Sequence, residues 1–366
     1  MRLFPTVEPE EFSTLLQHRH LPALDGLRAV AVFMVIGYHF GFPIPGDLGV
    51  SAFFVVSGFL ITWLLLNEYK TAGTISLRHF YSRRVLRIFP AYYVFITVSF
   101  IIDHLRGHSP DRALELSGFF YVVNYYNATH GHPPSSIAHA WSLSIEEQFY
   151  ALWPILLLAL ARLGTARALA ILAGIIAAVA GWRSFLYLDL RVGAAYVYNA
   201  FDTRFDNLGV GCLLALCAAQ PWFLSFSRAV VRSALLPLVT LVLLILSRSG
   251  TSYHYHIGYT VDAVLVAVLV VQLMLLHRHP LWSWLQHPAV RFLGTISYPL
   301  YLWHAWGLGV GERLQMLPAP GRFTVGVAVC IALASGSYFV IEKPFLSLKK
   351  RFSPVAAAVL PAASVS

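Results

Sequence analysis

Apolar residues fall into ten runs along this chain, and short polar segments separate one run from the next. Each run is close to the roughly 20 residues that a helix needs to cross a bilayer. The runs lie near residues 24–42, 48–66, 88–105, 143–161, 166–188, 203–219, 230–248, 257–276, 291–311 and 323–341. We therefore predict an all-α polytopic membrane protein with about ten transmembrane helices.

The composition supports this class and divides the chain into three parts. Of the 366 residues, 58% are hydrophobic and only 12% are charged. Soluble domains carry about a quarter charged residues. We expect a polar N-terminal segment at 1–20, a transmembrane domain at 21–346 and a disordered, Ala/Val/Pro/Ser-rich tail at 347–366. The first 20 residues lack the pattern of a signal peptide, so we expect no cleaved leader.

The net charge of +9 raises the question of a nucleic-acid partner, but the basic residues follow the predicted spans instead. The connections on one side of these spans carry 18 of the 26 Lys and Arg residues. The positive-inside rule places that side, with both termini, in the cytoplasm. We therefore expect no nucleic acid, and the lipid bilayer is the first partner.

Two ionisable residues share one face of the first span. Arg28 and His39 are eleven residues apart, close to three full helical turns, which separates them by about 16 Å along the axis. Ionisable side chains inside a membrane span are costly and are usually retained for function. The pair indicates an anion held at the membrane surface by Arg28 and proton chemistry deeper in the bilayer at His39.

A basic connection at residues 67–87 follows the second run and leads into the segment YSRRVLRIFP. In a helix, Arg83, Arg84 and Arg87 would line one side of a helix end at the membrane surface. Guanidinium groups bind phosphate through paired hydrogen bonds, which suits the diphosphate and 3′-phosphate of coenzyme A. Anchoring to anionic lipid headgroups explains the same residues, and charge alone favours that alternative.

Two adjacent carboxylates, Glu146 and Glu147, stand near the outer end of the fourth span in HAWSLSIEEQFYALWP. They could orient His39 or bind a sugar hydroxyl, or they could be interfacial acids at a helix N-terminus. Small residues in LGVSAFFVVSGFL, Ser57 among them, would admit close approach by a ligand. Helix packing is the simpler interpretation of that pattern.

Several other polar residues favour structural roles. We expect Arg204 and Asp206 to pair with each other, and we interpret His304 as a satisfied core residue. Three histidines of the outer connection lack the spacing of a metal site, so we expect them to be solvated and to bind no metal. They are His130, His132 and His139.

Taken together, these segments resemble the acyltransferase-3 family of integral membrane O-acyltransferases, from about Leu21 to Phe345. The resemblance rests on LPALDGLRAVAV, GVSAFFVVSGFLI, FYSRRVLRIFPAYY, WSLSIEEQFY, RFDNLGVG, ISYPLYLWH and IEKPF, in this order. It implies transfer of acyl groups, often acetyl, from a cytoplasmic donor such as acetyl-CoA to sugar hydroxyls at or beyond the outer face. Many larger relatives add an extracellular hydrolase-type domain, which we expect this chain to lack.

The resemblance also implies roles for individual residues. The family's Arg-x10-His element falls on Arg28 and His39, and its RxxR donor element falls on Arg84 and Arg87, with Arg83 beside them. Its WSLxxEE element falls on Trp141, Ser142, Glu146 and Glu147.

We therefore expect an O-acyltransferase of the bacterial inner membrane that uses acyl-CoA, with acetyl-CoA as the first candidate, and a carbohydrate or glycolipid acceptor. His39 and the acids at 146–147 would carry the catalysis, with His39 as general base or as the carrier of the acyl group. Trp141, Ser142 and Ser57 would contact the acceptor. A transporter or flippase for a lipid-linked glycan, or an inactive chain that anchors an assembly, also fits the spans, although the sequence shows no internal repeat.

Overall fold

A computed structural model of the chain describes residues 12–16, 21–107, 111–248 and 250–348, and no strand occurs in these ranges. The predicted N-terminal segment and tail lie largely outside them. The α-helices are α1 (Phe12–Leu15), α2 (Pro22–His39), α3 (Gly46–Ala72), α4 (Leu77–Leu105), α5 (Arg112–Phe119), α6 (Val123–His130), α7 (Trp141–Ala161), α8 (Thr165–Leu188), α9 (Ala194–Asn199), α10 (Phe205–Cys217), α11 (Phe223–Val230), α12 (Leu236–Leu246), α13 (Thr251–Tyr253), α14 (Tyr259–Leu275), α15 (Pro288–Thr295), α16 (Ser297–Arg313), α17 (Ala319–Ser337) and α18 (Lys343–Leu348). Short 3-10 turns at Ala138–Ala140, Phe201–Thr203 and Ser283–Gln286, and π-helical segments at His254–Gly258 and Tyr338–Glu342, lie between them.

Every predicted apolar run contains a helix, which confirms the all-α membrane class. Within the described ranges, six helical stretches are long and apolar enough to cross a membrane. They are Gly46–Ala72, Leu77–Leu105, Ala138–Ala161, Thr165–Leu188, His254–Leu275 and Ala319–Leu348. The helices α10 and α12 are apolar but have only 13 and 11 residues. The count of ten spans and the side of the termini therefore stay predictions.

Glycines let α3 pack directly on α10 in the interior of the bundle. A Cβ atom at Gly58 would collide with the carbonyl of Leu208, and one at Gly211 would collide with the carbonyl of Val55. The two backbones therefore touch, as small residues allow between membrane helices. This contact confirms the packing interpretation of the small residues for Gly58. The neighbouring Ser57 instead lines a cavity on another side of α3.

The basic connection at 67–87 is mostly helical rather than a loop. The helix α3 extends to its C-cap Gly73, whose φ of 71° closes the helix in the left-handed region. Ser76 then caps α4, where its hydroxyl accepts a hydrogen bond from the backbone N–H of His79 at 3.4 Å. The helix α4 continues through Pro90 into its apolar part. Because one continuous helix carries the basic segment, each arginine in it points in a fixed direction.

Candidate active site

A cavity of about 450 Å³ lies among α2, α3, α4, α7 and α16, at the end of the bundle where α2 begins. Its volume is typical of a small-molecule site. We call it the arginine cavity. The polar side chains that line it are Asp25, Arg28, Ser57, Arg84, Arg87, Ser142, Glu146, Glu147, Tyr150, Thr295, Ser297, Tyr298, Tyr301, Tyr338 and Glu342. The fold thus brings together most of the site residues predicted from sequence, but Arg83, Trp141 and His39 do not line this cavity.

Arg28 from α2 and Arg84 and Arg87 from α4 supply the positive charge of the cavity. In the part of the chain that the structure describes, none of the three donates a hydrogen bond or forms an ion pair, and Arg84 Nε is buried without a partner. The guanidinium of Arg84 stacks over the rings of Phe80 and Tyr150, each with its centroid 5.6 Å away. Because stacking leaves the edge N–H groups available, this arrangement is suited to binding an anion.

Arg83 turns away from the other two arginines. Its Nη2 donates to Glu68 Oε2 at 2.6 Å, while Glu68 Oε1 accepts from the backbone N–H of Ser76 at 2.9 Å. Consecutive residues point about 100° apart around a helix, so Arg83 cannot face the cavity together with Arg84. Arg83 on α4 therefore holds the start of that helix to the last turns of α3 through Glu68.

The acid pair lies with the arginines and not beside His39. Ser57 Oγ donates to Glu146 Oε1 at 2.7 Å and lies 3.1 Å from Tyr150 Oη. Glu147 lines the same cavity. Among the described residues neither acid contacts His39, which does not line this cavity, so the structure gives no support to the interpretation in which they orient His39.

Sequence reasoning missed Glu342 as a lining residue. It lies in the π-helical segment after α17 and is 5% exposed, and its Oε1 has no hydrogen-bond partner within the described ranges. The signal was present in IEKPF, where an acid follows directly on an apolar run. π-Helical turns are frequent at functional sites because they displace a side chain from the regular helical position.

At the other end of α2, His39 meets two histidines from distant parts of the chain. The ring centroids of His39 and His304 are 4.8 Å apart, and those of His304 and His139 are 4.5 Å apart. We call these three residues the histidine cluster. Each ring makes a hydrogen bond to a backbone carbonyl oxygen, at 2.9 Å for His39, 2.7 Å for His304 and 3.1 Å for His139. His304 is a core residue, as predicted, but only one of its ring nitrogens is satisfied, since its Nε2 has no hydrogen-bond partner among the described residues.

Tyr301 connects the two regions. Its side chain lines the arginine cavity, and its ring lies 5.6 Å from that of His304. Its hydroxyl is 2.7 Å from Ser142 Oγ and donates to the carbonyl oxygen of His139 at 2.9 Å. The hydrogen-bonded Ser142–Tyr301 pair therefore lies between the arginine cavity and the histidine cluster.

Trp141 points to a different region from its neighbour Ser142. Its buried ring packs on that of Tyr198 from α9, with centroids 4.5 Å apart, and lies 6.3 Å from that of His132 in the outer connection. The structure thus separates Trp141 from Ser57 and Ser142, which line the arginine cavity.

The expected pairing of Arg204 with Asp206 is wrong. Asp206 Oδ2 accepts from Arg183 Nη1 at 2.9 Å, and Arg204 instead donates to Ser51 Oγ at 3.2 Å. Residues two positions apart at a helix start point to different sides, so each finds a partner on another helix, and both also bond Asn207 of α10.

The outer histidines divide into two groups. His130 and His132 are exposed, as expected, whereas His139 is buried at 5% exposure and was wrongly predicted to be solvated. Its Nε2 donates to the carbonyl oxygen of Leu302 on α16. The two residues are far apart in the sequence, so local patterns do not predict this contact. Among the residues that the structure describes, no group of three His, Cys, Asp or Glu side chains is placed to hold a metal ion.

A family model that describes an acyltransferase domain matches residues 21–340, which span both the arginine cavity and the histidine cluster. The chain belongs to the acyltransferase-3 family. Within this family, it is similar to peptidoglycan O-acetyltransferase OatA of Listeria monocytogenes, with 32% identity over 361 residues, covering 91% of this chain and 57% of OatA. It is also similar to YrhL of Bacillus subtilis, with 33% identity over 354 residues, covering 89% of this chain and 55% of YrhL.

This acyltransferase chain therefore spans a little more than half the length of the curated relatives it matches. Those relatives are bacterial, and the helices described above identify a multi-pass membrane protein. No solved structure matches the chain.

Proposed function

We propose that this chain is a membrane O-acyltransferase that takes an acyl group, with acetyl as the first candidate, from acyl-CoA and gives it to a hydroxyl group of a cell-envelope glycan. The observation that carries the proposal is the arginine cavity. Arg28, Arg84 and Arg87 line it without a hydrogen-bonding or ion-pairing partner among the described residues, and Tyr301 alone separates it from the histidine cluster. Family membership supplies the reaction class, and the cavity supports the choice of donor.

The arginine cavity suits a donor that has both phosphates and N–H groups. The phosphates of coenzyme A need cationic partners, and the unpaired guanidiniums offer them. Carboxylates such as Glu342 line the same cavity and can accept hydrogen bonds from the adenine amino group or the pantetheine amides.

His39 is the residue we assign as general base. A carbonyl oxygen can only accept, so the contact with Val35 O at 2.9 Å fixes the hydrogen on His39 Nδ1 and leaves the lone pair on Nε2. His39 is also exposed at the end of α2, where an acceptor can reach it. Its Nε2 takes the proton of the acceptor hydroxyl as the hydroxyl oxygen attacks the acyl carbonyl carbon. The carbon–sulfur bond then breaks, and the proton passes to the thiolate, which leaves as coenzyme A thiol.

The acyl arm of the donor would reach His39 past the Ser142–Tyr301 pair. In this arrangement Glu146 and Glu147 act on the donor side, where Ser57 holds Glu146 in place at 2.7 Å. Trp141 belongs to the acceptor side, towards the outer connection. An acyl-histidine intermediate would form on the same Nε2 and would follow the same path.

The acceptor is inferred from likeness. The relative OatA is named a peptidoglycan O-acetyltransferase, so peptidoglycan fragments are the first acceptors to test.

The positive-inside asymmetry supports a cytoplasmic arginine cavity and a histidine cluster towards the outer face. Single cysteines at Ser82 and at His132, in a background without Cys212, Cys217 and Cys330, test this orientation. Labelling of the Ser82→Cys site by an impermeant thiol reagent in intact cells would contradict it.

Acyl transfer by the purified protein in proteoliposomes tests the function. We expect ester formation on a muropeptide from labelled acetyl-CoA, and we expect His39→Ala to lower the rate by about 10²–10⁴-fold, as general-base loss does, with coenzyme A binding retained. Passage of the glycan across the bilayer without ester formation would contradict the proposal in favour of a transporter. Coenzyme A binding that is unchanged when Arg84 and Arg87 are replaced together would assign these arginines to lipid anchoring.

A further inference from the structure

The histidine cluster contains one nitrogen whose environment is unusual. His304 is fully buried on α16, and its Nε2 has no hydrogen-bond partner among the described residues. Buried polar atoms are nearly always hydrogen-bonded, so an unpaired one calls for an explanation. The ring of His39 lies 4.8 Å away between centroids, which allows ring nitrogens to come within hydrogen-bond reach.

The backbone contacts fix where the hydrogens sit on these rings. His304 Nδ1 lies 2.7 Å from the carbonyl oxygen of Tyr301, and His39 Nδ1 lies 2.9 Å from that of Val35. Since carbonyl oxygens only accept, both Nδ1 atoms carry hydrogen, and both Nε2 atoms carry lone pairs in the neutral rings. Two neutral rings with these tautomers cannot bond to each other through Nε2, but they can share one added proton there.

We propose that His304 is the proton-sharing partner of His39 and accepts a hydrogen bond at Nε2 from the imidazolium that forms when His39 removes the acceptor's proton. This role rests on the proposed function, because the proton is the one released by the acceptor hydroxyl. It stays between the two Nε2 atoms until the carbon–sulfur bond breaks and the thiolate takes it. His304 acts through His39 and is therefore a positioning residue.

The third histidine completes the environment. His139 Nε2 donates to Leu302 O at 3.1 Å, so its lone pair is on Nδ1, and its ring centroid is 4.5 Å from that of His304. Cys330 Sγ donates to the backbone carbonyl oxygen of His304 at 3.4 Å. In the described part of the chain, no carboxylate forms a hydrogen bond or ion pair with the His304 ring, so none is placed to take the proton in its place.

The matched variants are His304→Asn and His277→Asn. Asparagine can keep a donor at the Nδ1 position but has no Nε2. His277 makes the same local contact, from Nδ1 to the carbonyl of Met274 at 2.8 Å, outside the cluster. We expect His304→Asn to lower kcat by about tenfold to hundredfold, the range for groups that orient a directly acting residue, with the Kd of coenzyme A unchanged. His277→Asn should keep the parental kcat.

A double-mutant cycle separates proton sharing from packing. In a His39→Ala background, His304→Asn should cause no further loss of rate, because two residues that act as a unit are not additive. If the rate losses of the two single variants multiply in the double variant, His304 has an independent structural role and the proposal is overturned.

Chemical rescue is the second test, for the case in which neither His304→Asn nor His304→Gln folds. It uses His304→Gly with added imidazole or pyrazole, since the two rings have the same shape and differ in basicity. Rescue by imidazole alone supports proton sharing, whereas equal effects of both compounds overturn it.

The same assay distinguishes this inference from the proposed function. If the parent forms no ester from acetyl-CoA, or if His39→Ala keeps the parental rate, the proposed function and the role of His304 fall together. If His39→Ala loses activity and His304→Asn keeps the parental kcat, only the role of His304 is overturned.

Discussion

Arginines at the two ends of the bundle have opposite surroundings. At the end where α3 begins, Arg183 donates to Asp206 at 2.9 Å, with both side chains fully buried. In the same region Arg248 bridges two carboxylates, contacting Asp47 and reaching Asp262 at 2.8 Å. In the arginine cavity, the three lining arginines have no such partners among the described residues. Pairing with carboxylates therefore separates the two groups of arginines.

This difference indicates different roles for the ion-paired arginines and for the arginines that line the cavity. A buried ion pair with its hydrogen bonds satisfied holds helices together, and breaking it leaves an uncompensated charge. Arginines kept without partners in a membrane protein point to a ligand that completes them. Stability should therefore depend on the paired group, whereas donor binding should depend on the unpaired one.

The largest expected effect is on stability, from removing the carboxylate of Asp206. Asp206→Ala leaves Arg183 charged and fully buried, so the free energy of unfolding should fall by about 3–5 kcal/mol. Denaturant unfolding in detergent measures this loss. Protein that remains folded should bind coenzyme A with the parental Kd. A lowered affinity with an unchanged free energy of unfolding would contradict the division into stabilising and donor-binding arginines.

The second effect is on donor binding, from Arg84→Ala and Arg87→Ala. Each should raise the Kd of coenzyme A by about tenfold to hundredfold, since a hydrogen bond to a charged group contributes about 1.5–3 kcal/mol. Isothermal titration measures the change. Unfolding should stay at the parental value for Arg87→Ala, whereas Arg84→Ala also loses the stacking on Phe80 and Tyr150 and should lower the free energy of unfolding by about 1–2 kcal/mol. Lysine at either position should restore only part of the affinity, because it lacks the guanidinium fork. If lysine restored the full affinity for coenzyme A, the positive charge alone would explain binding, and the paired hydrogen bonds of the guanidinium would not be needed.

A third effect, of opposite sign, is expected for Glu146→Gln. Glutamine can still accept from Ser57 Oγ but removes a negative charge near the donor's phosphates. The Kd of coenzyme A should fall by about two- to fivefold, the size of a partly screened charge interaction of up to about 1 kcal/mol. Turnover should fall at the same time if the acid takes part in catalysis. A weaker affinity would show that Glu146 accepts an N–H of the donor directly.

The smallest effect is expected for Arg83→Ala, which is the matched control for Arg84→Ala. Arg83 is engaged by Glu68 outside the cavity, so the Kd of coenzyme A should change by less than about twofold, within the scatter of surface substitutions. The same titration measures it. A loss equal to that of Arg84→Ala would return Arg83 to the donor site.

Much of the candidate site could be predicted because its signals are local. Arg28 and His39 share a face through helical geometry alone, and Arg84 and Arg87 lie three residues apart on α4. The acids at 146–147 stand out because charge is rare in apolar runs. Helical spacing separates Arg83 from Arg84, and an acid after an apolar run marks Glu342. That Glu68 is the partner of Arg83, and that Glu342 reaches this cavity, depends on which helix packs alongside.

The sequence by itself determined the helical class, because hydrophobic runs of membrane-spanning length leave the backbone no other way to satisfy its hydrogen bonds. It also determined the order of the chemical groups along each helix. Only the tertiary structure decided which charges are neutralised and which rings meet. His304 approaches His39 from 265 positions away, and Asp206 pairs with Arg183 rather than with Arg204, two positions before it. Pairing is decided by distances between helices, and local periodicity carries no information about them.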